Sequence, residues 1–359
     1  MRNKEYEQLK DDLVKAAKER KTPLLGHFEL TARCNLDCKM CYVHNQNNAE
    51  CLRRELTTEQ WKKIFNEAFD CEMLYATLSG GECLLRYDFK DLYLHLWNKN
   101  IFVTVLTNGT LINDDYIDFF KSYPPDMIQI SLYGSNEDGY LRVTGHKGFE
   151  KTIFAISTLM DAGIDVRVAV NPSAYMIDDY INILRLCKNK KFYTQNADIY
   201  LISNRDDPGK NDYYLTNDEI VSLSTQRVEL YKPLVPVEST PEPFGPMCEA
   251  PAMGMTCKAG TCFASVTWDG RMYPCYNAMI GEGPSLLEMS YKDAWEKTVR
   301  AASEVVHGAE CVGCPYDKTC SKCPAFRLKD LHSGHCNPDM CELTRKLVAA
   351  GAKKLKPVD

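Results

Sequence analysis

The stretch Thr31–Tyr42, TARCNLDCKMCY, decides how the fold is interpreted, and it directly follows a β-like run, Leu24–Leu30. It holds Cys34, Cys38 and Cys41 in the spacing C-x3-C-x2-C. Three thiolates on one loop can each hold one iron of a cubane iron–sulfur cluster, for which the usual full set is four cysteines. A missing fourth cysteine leaves one iron open to a small molecule. The alternative is a zinc loop with a distant fourth ligand, but zinc loops more often pair two C-x2-C units.

The composition is that of a globular protein with an unusual number of cysteines. Of 359 residues, 45% are hydrophobic and 26% are charged, which is ordinary for such a protein. The length allows one large domain and a smaller one. Seventeen cysteines would suit a small secreted disulfide protein, whereas a cytosolic chain keeps its thiols reduced. In a chain of this length they indicate bound metal.

Charge and hydropathy argue against two classes of partner. The net charge is −6 and no basic run is present, so nucleic acid is not expected. The start, MRNKEYEQLKDDLVKAAKER, has the pattern of an amphipathic helix rather than of an apolar signal sequence. No apolar stretch approaches the ~18 residues that a membrane helix needs. We therefore expect a cytoplasmic protein with no membrane partner.

Short β-like runs alternate with helix-like segments along most of the chain. The strand candidates are Leu24–Thr31, Met73–Ser79, Ile101–Thr107, Met127–Leu132, Ile164–Asn171 and Ala197–Ile202. The helix candidates are Thr58–Phe69, Phe89–Asn98, Asp114–Lys121, Phe149–Ala162, Ile177–Asn189 and Asn217–Tyr231. Helix N-caps are expected at Thr57 and Asn217. Six β-α units in series predict a parallel sheet with helices outside, long enough to curl into most of a barrel.

Polar side chains recur at every second position of several strand candidates. His27, Glu29 and Thr31 share one face of the first candidate, because side chains two apart in a strand point the same way. The other sets are Tyr75, Thr77 and Ser79; Gln129 and Ser131; Arg167 and Asn171; and Asp198 and Tyr200. Parallel strands buried on both faces usually read as continuous apolar runs. We therefore predict a wet interior that holds a ligand, with exposed edge strands as the alternative.

Two further segments follow strand candidates, where catalytic groups of such folds gather. Gly80, Gly81 and Glu82 follow the second candidate. The glycines would let the backbone approach a ligand closely, and the Glu82 carboxylate could receive an ammonium group. The segment Thr107–Thr110, TNGT, predicts a tight turn after the third candidate, and a turn is a sufficient explanation of this segment.

The cysteine loop resembles the signature of the radical S-adenosylmethionine (SAM) enzymes, C-x3-C-x-φ-C, with Met40 in the φ position next to the cofactor. The GGE segment resembles the one that binds the SAM amino group in that family, although Cys83 stands where Pro is common. The resemblance implies a partial (β/α)6 TIM-like barrel and a [4Fe-4S] cluster held by Cys34, Cys38 and Cys41. The open iron would chelate SAM, whose reductive cleavage releases a 5′-deoxyadenosyl radical, while the protein supplies placement and exclusion of water.

The resemblance also assigns three further residues to SAM. Ser131 matches a position that contacts the ribose or the carboxylate, and Asn171 could meet a ribose hydroxyl. Arg142, in YLRVTG, matches an arginine that pairs with the carboxylate, for which the paired donors of a guanidinium are suited. A surface ion pair is the alternative for Arg142.

Cysteines return densely beyond a proline-rich stretch, Lys232–Pro246, that is typical of a linker. TWDGRMYPC predicts a small hairpin with its turn at Asp269 and Gly270. The cysteines of this region are Cys257, Cys262, Cys275, Cys311, Cys314, Cys320, Cys323, Cys336 and Cys341. Two of their spacings are C-x2-C, which structural zinc ribbons also use, so zinc remains an alternative here.

This second group of cysteines resembles the SPASM extension of radical SAM enzymes, which holds two auxiliary [4Fe-4S] clusters. By that resemblance, the first would be held by Cys257, Cys262, Cys275 and Cys323, and the second by Cys311, Cys314, Cys320 and Cys341. Cys336 competes with Cys341, which is favoured because it opens the closing helix. The last spacing is one residue shorter than is usual in the family. The cofactors would then be three [4Fe-4S] clusters and SAM.

The expected domains are an N-terminal helix at 1–22, the radical SAM partial barrel at 23–232, a linker at 233–247 and the SPASM domain at 248–359. Because SPASM proteins mostly modify peptides and proteins, the resemblance implies a maturase that forms a thioether or carbon–carbon crosslink in a ribosomally made peptide. The partners would be a peptide or protein substrate and a reductant such as flavodoxin or ferredoxin. Only about 22 residues precede the first strand candidate, so we expect leader recognition by a separate protein or by the barrel mouth.

Two other functions remain open. Formylglycine formation in a sulfatase ranks second, because that subgroup has an aspartate base directly after the cysteine equivalent to Cys275. This chain has Tyr276 there, and a neutral phenol is a poor base near pH 7. The other is a zinc-stapled binding protein without enzymatic activity.

Overall fold

An eight-stranded sheet organises the part of the chain that the computed structural model describes, which is residues 4–43, 47–195, 212–231, 254–255, 257–305, 314–316, 319–320, 323 and 338–354. The strands are β1 (Leu25–Glu29), β2 (Tyr75–Ser79), β3 (Phe102–Thr107), β4 (Met127–Ser131), β5 (Val166–Ala169), β6 (Thr194–Gln195), β7 (Phe263–Val266) and β8 (Met272–Tyr273). The helices are α1 (Lys4–Arg20), α2 (Ala49–Arg54), α3 (Thr58–Asp70), α4 (Phe89–Trp97), α5 (Asp114–Ser122), α6 (Glu137–Thr144), α7 (Phe149–Asp161), α8 (Tyr180–Asn189), α9 (Asn217–Tyr231), α10 (Tyr291–Ser303) and α11 (Pro338–Ala349).

The strands lie in the order β6-β5-β4-β3-β2-β1-β7-β8, and every neighbouring pair is parallel except β7 and β8. Glu29 pairs with Ser79, and Ser131 pairs with Ala169, so the carboxyl ends of these strands reach one edge. The loops that follow the strands therefore meet there. Successive parallel strands linked through helices confirm the predicted α/β partial TIM-like barrel.

One face of the sheet is apolar and packs against the helices. Phe28 on β1 contacts Trp61 and Phe65 of α3, with ring centroids 6.1 and 5.0 Å away, and all three side chains are fully buried. Burial of one such side chain contributes about 1.5–3 kcal/mol. A capping box between Thr57 and Gln60 fixes the start of α3, as the sequence predicted.

The other face carries the polar residues predicted for the interior. On β4, Gln129 and Ser131 are half-buried, whereas Ile128 and Ile130, which alternate with them, are fully buried. On β1, the His27 Nδ1 atom lies 3.0 Å from the Ser265 hydroxyl on β7. The predicted alternation is therefore confirmed on these strands. Asp198 and Tyr200 lie outside the described residues.

The N-terminal helix packs against the opposite edge of the sheet. The Tyr6 hydroxyl donates to Asp126 (3.0 Å), and its ring contacts that of Phe102 with the centroids 5.7 Å apart. Val14 and Ala17 pack in an apolar cluster with Leu24 and with Tyr75 and Cys262. Thus α1 covers the amino ends of β1, β2 and β3, away from the cysteine loop.

Several boundaries differ from those predicted. β6 is described at Thr194–Gln195, whereas the predicted strand Ala197–Ile202 lies outside the described residues and stays a prediction. The helix predicted to begin at Ile177 begins at Tyr180, after a 3-10 turn at Ala174–Met176. A capping box formed by Thr216 and Glu219 starts α9, one residue before the predicted cap. Helices α2 and α6 were not predicted because they are short, with six and eight residues.

The predicted hairpin is confirmed, and it joins the barrel sheet. β7 pairs with β1 in parallel and with β8 in antiparallel, and Gly270 in the turn between them has a φ of +84°, which favours glycine. The sheet thus crosses the predicted domain boundary. The predicted linker, 233–247, lies outside the described residues. In the part of the chain that the structure describes, no helix is both long and apolar enough to span a membrane.

Candidate functional site

The cysteine loop follows β1 at the carboxyl edge of the sheet. Cys34 is buried, Cys38 and Cys41 are half-buried, and the Cys41 N–H donates to the Cys38 carbonyl (3.0 Å). Burial raises the pKa of the Cys34 thiol to about 12, and the neighbouring charges of Glu82 and Cys41 act in the same direction. Burial also raises the pKa of Cys38, and the charges of Cys41 and Cys34 raise it further. The three thiols are thus close enough to oppose one another's ionisation, and bound cations would reverse that cost.

This loop fits an iron–sulfur cluster better than a single zinc ion. Among the described residues, no three His, Cys, Asp or Glu side chains are arranged to hold one metal ion. In a cluster, each cysteine holds a different iron, so the sulfurs need not converge on one point. Three thiols on one short loop meet that requirement. Cys34, Cys38 and Cys41 therefore suit such a cluster, and their role as its ligands stays a prediction.

A buried network of charges holds the start of the loop. Arg33 donates to both oxygens of Glu55 through Nε (2.9 Å) and Nη2 (3.0 Å), and the Thr31 hydroxyl donates to the same carboxylate. Arg86 pairs with both oxygens of Asp88 (2.8 and 2.7 Å), and its Nη1 atom lies 3.8 Å from Glu55. Arg86 also donates to the backbone carbonyls of residues 30 and 56. Sequence reasoning missed this network, because no spacing pattern connects its members.

The GGE segment lies directly on the cysteine loop. The Gly81 N–H donates to the Thr31 carbonyl (2.7 Å), and the Glu82 N–H donates to the Arg33 carbonyl (2.8 Å). Gly80 has a φ of +138°, and a Cβ atom there would lie 2.3 Å from the Thr31 carbonyl oxygen. The sequence predicted that these glycines bring the backbone close to a ligand. The structure shows that the close approach is to the loop itself, which the absence of side chains permits.

Glu82 joins the ends of two strands. Its carboxylate is fully buried, with Oε1 accepting from the Thr107 hydroxyl (2.9 Å) and the Leu84 N–H (3.0 Å) and Oε2 from the Asn108 N–H (2.8 Å). Burial raises the pKa of Glu82, and these hydrogen bonds act against that shift. An ammonium group at Glu82 stays a prediction. The structure adds that this carboxylate already ties β2 to β3.

The other residues predicted to contact SAM lie around the same edge. Ser131 is half-buried at the end of β4, and Asn171 is half-buried just after β5. Met40 is 6% exposed and packs in the main apolar core. Arg142 is exposed in the last turn of α6. The end of α6 contacts the loop, because the Asp37 N–H donates to the carbonyl of residue 144 (2.9 Å).

Only some cysteines of the second group can be placed relative to one another within the described residues. The charges of Cys257 and Cys323 both act on Cys275, whose pKa burial raises to about 12, so these three thiols lie near one another. Cys262 is fully buried, with Cys257 close enough to influence its ionisation. Cys314, Cys320 and Cys341 are described and half-buried, whereas Cys311 and Cys336 lie outside the described residues.

Tyr276 lies between the two cysteine regions. It directly follows Cys275, and its ring contacts those of His27 (4.6 Å between centroids) and Tyr42 (6.0 Å), the residue after Cys41. Burial raises the pKa of the Tyr276 phenol, with the charges of nearby cysteines and Glu29 adding to the effect. The phenol is therefore neutral near pH 7. Sequence spacing alone gave no indication that this side chain would reach the first cysteine loop.

Comparison with known proteins finds similarity to one family over much of the barrel. Residues 28–187 match the Radical SAM superfamily. The chain is 36% identical over 151 residues to the antilisterial bacteriocin subtilosin biosynthesis protein AlbA of Bacillus subtilis (strain 168), covering 42% of this chain and 33% of AlbA. It is 23% identical over 324 residues to the AdoMet-dependent heme synthase of Methanosarcina barkeri (strain Fusaro / DSM 804), covering 84% of this chain and 91% of that protein.

The fold is also that of a solved structure. Streptococcus suis SuiB bound to precursor peptide SuiA superposes with a TM-score of 0.66 at 16% identity, covering 95% of this chain and 82% of SuiB. At this level of identity the likeness concerns the fold. It extends over 95% of this chain.

Proposed function

We propose, from the match of residues 28–187 to the Radical SAM superfamily, that the chain is a maturase that cleaves SAM reductively and abstracts a hydrogen atom from a peptide substrate. The product would be a thioether or carbon–carbon crosslink in a ribosomally made peptide. The observation that carries this proposal is the loop with Cys34, Cys38 and Cys41, three thiols fixed at the carboxyl edge of the sheet without a fourth cysteine on the loop.

The chain's own residues would place the cofactors. Cys34, Cys38 and Cys41 would hold the first cluster, and the backbone of Gly80 and Gly81 would fix the loop that carries them. When bound, a [4Fe-4S] cluster with one open iron and SAM supply an electron and a 5′-deoxyadenosyl radical. The half-buried polar groups on the inner face of β4 and β5 would line the space for SAM and for part of the substrate.

A peptide substrate is supported by two similar proteins. AlbA is named for the biosynthesis of a bacteriocin, and SuiB was solved with a precursor peptide. We further propose that the cysteines predicted for the SPASM domain hold two auxiliary clusters. The proximity of Cys257, Cys275 and Cys323 supports the first of these.

A second candidate function is conversion of a haem precursor. The similarity to an AdoMet-dependent heme synthase covers most of both chains, which favours it. Sulfatase maturation ranks lower, because the neutral phenol of Tyr276 stands where that subgroup has its base.

The cofactor part of the proposal is tested on anaerobically purified full-length protein. We expect about twelve irons per chain, and release of 5′-deoxyadenosine after addition of dithionite and SAM. A variant with Cys34, Cys38 and Cys41 replaced by Ala should lose about four irons and all of this release. Cys71→Ala, which removes a half-buried thiol at the end of α3, is the matched control and should retain both. Undiminished 5′-deoxyadenosine release by the triple variant would refute the proposal.

The substrate is tested separately by mass spectrometry. Candidate precursor peptides encoded near the gene are incubated with the reduced enzyme and SAM, and each crosslink should remove two hydrogen atoms from the peptide mass. A haem precursor is incubated in parallel. Conversion of the haem precursor with unchanged peptides would favour the second function.

A further inference from the structure

The turn at Thr107–Thr110 does more than reverse the chain, because one of its side chains reaches the first cysteine. The Asn108 Nδ2 atom donates to the Asn35 Oδ1 atom (2.8 Å) and points toward the Cys34 Sγ atom at 3.9 Å. Asn108 is only 7% exposed. The Leu36 N–H also donates to this sulfur (3.4 Å). Two N–H groups therefore face the Cys34 sulfur.

The orientation of the Asn108 amide is determined by its other partners. Its Oδ1 atom accepts from the backbone N–H of Thr110 (2.9 Å) and from the Thr110 hydroxyl (2.6 Å). A backbone N–H can only donate, so the oxygen must lie on that side and the NH₂ group must face Asn35 and Cys34. The same hydroxyl accepts from Asn35 Nδ2 (2.7 Å), which closes the network.

Asn108 also connects the three segments on which the site depends. Its side chain contacts the cysteine loop, its backbone N–H donates to Glu82 of the GGE segment (2.8 Å), and its carbonyl accepts from Thr152 on α7 (3.2 Å). The amide is held on its oxygen side by the buried Thr110 and on its nitrogen side by the half-buried Asn35. It can therefore keep its direction when the charge on the sulfur changes.

We propose that Asn108 is a positioning residue for Cys34 and that the amide N–H of Asn108 raises the reduction potential of the cluster held by this loop. This inference rests on the proposed function. Reduction adds one electron to the cluster and makes its sulfurs more negative. An N–H group directed at a sulfur stabilises that added charge, and such hydrogen bonds are among the determinants of cluster potentials. Without the amide, the reduced state loses stability relative to the oxidised state.

The test uses the full-length protein with its clusters reconstituted under anaerobic conditions. The clusters are titrated potentiometrically with dithionite and monitored by electron paramagnetic resonance. The signal of the first cluster is recognised because it changes when SAM is added, whereas the signals of auxiliary clusters do not. Asn108→Leu keeps a similar volume without a donor, and Asn108→Ser shortens the side chain. The matched control is Thr152→Val, which removes a donor to the Asn108 carbonyl and leaves the amide in place.

In both Asn108 variants we expect the ratio of reduced to oxidised cluster at a given potential to fall about tenfold, which corresponds to a shift of about −59 mV for one electron. Thr152→Val should titrate like the wild type. An unchanged potential in both Asn108 variants would overturn the inference. Loss of iron from the first site in both Asn108 variants, with Thr152→Val retaining it, would also overturn the inference, because the amide would then be needed to hold the cluster and not to set its potential. A wild-type protein without a SAM-responsive signal would instead reject the proposed function, and this inference with it.

Discussion

Replacing Glu55 by Gln should weaken the attachment of the cysteine loop. The Glu55 side chain is 7% exposed, and its carboxylate accepts from Arg33 at 2.9 and 3.0 Å and from the Thr31 hydroxyl. Glutamine keeps the shape of the side chain but replaces one accepting oxygen by an NH₂ group and removes the charge. At least one nitrogen of Arg33 then loses its acceptor.

The magnitude follows from how deeply each partner is buried. Removing one member of a buried ion pair costs about 3–5 kcal/mol. The Arg33 side chain is 23% exposed, so water recovers part of this loss. Arg86 is 5% exposed but keeps both hydrogen bonds to Asp88. We therefore expect a loss of about 3 kcal/mol in the free energy of unfolding, near the lower end of the range for buried pairs.

The assay is urea unfolding of the cluster-free chain in reductant, followed by circular dichroism, because bound clusters would prevent two-state behaviour. Asp91→Asn makes the same acid-to-amide change in the exposed pair between Lys62 and Asp91, whose side chains are 31% and 57% exposed. That control should cost no more than about 1 kcal/mol. If Glu55→Gln destabilises the chain no more than the control does, the network does not hold the loop in the way described.

Three further predictions concern the same region. Gly80→Ala should destabilise the chain by more than about 3 kcal/mol, because its Cβ would lie 2.3 Å from a carbonyl oxygen of the cysteine loop. The control is Gly163→Ala, also at positive φ but with nothing within 4 Å, which should cost only about 1 kcal/mol. The midpoints of urea unfolding compare the two variants. Burial acts to raise the pKa of Asp88, but its hydrogen bonds, chiefly from Arg86, outweigh burial and hold that pKa below its ordinary value of 3.8. The stabilisation by Asp88 is therefore present above pH 3.8 and is lost as the pH falls through the lowered pKa. Between pH 5 and pH 2, the cluster-free wild type should lose more stability than Asp88→Asn. Equal losses in the two proteins would contradict this prediction. Tyr276→Phe should leave 5′-deoxyadenosine release within about twofold of wild type, because a neutral phenol whose pKa burial raises supplies no base; a loss of tenfold or more would show that the hydroxyl takes part in the reaction.

The sequence by itself determined the barrel and the centre of the site. Alternation of polar and apolar residues has a period of two within one strand, so the inner and outer faces of β1 and β4 could be predicted without knowing their neighbours. The spacing of Cys34, Cys38 and Cys41 is likewise local, because a short loop keeps its own thiols close together. Both are properties of a few consecutive residues.

What only the tertiary structure decided is how that loop is held. Glu55 meets Arg33 and Arg86, and Glu82 meets Asn108, across separations of 22 to 31 residues, because the ends of neighbouring parallel strands come to one edge. These side chains carry no shared pattern, and a turn such as TNGT looks the same whether or not its amide faces a sulfur. Pairing of β7 with β1 across more than 200 residues likewise depends on the tertiary arrangement that brings β7 beside β1, which local propensity does not encode.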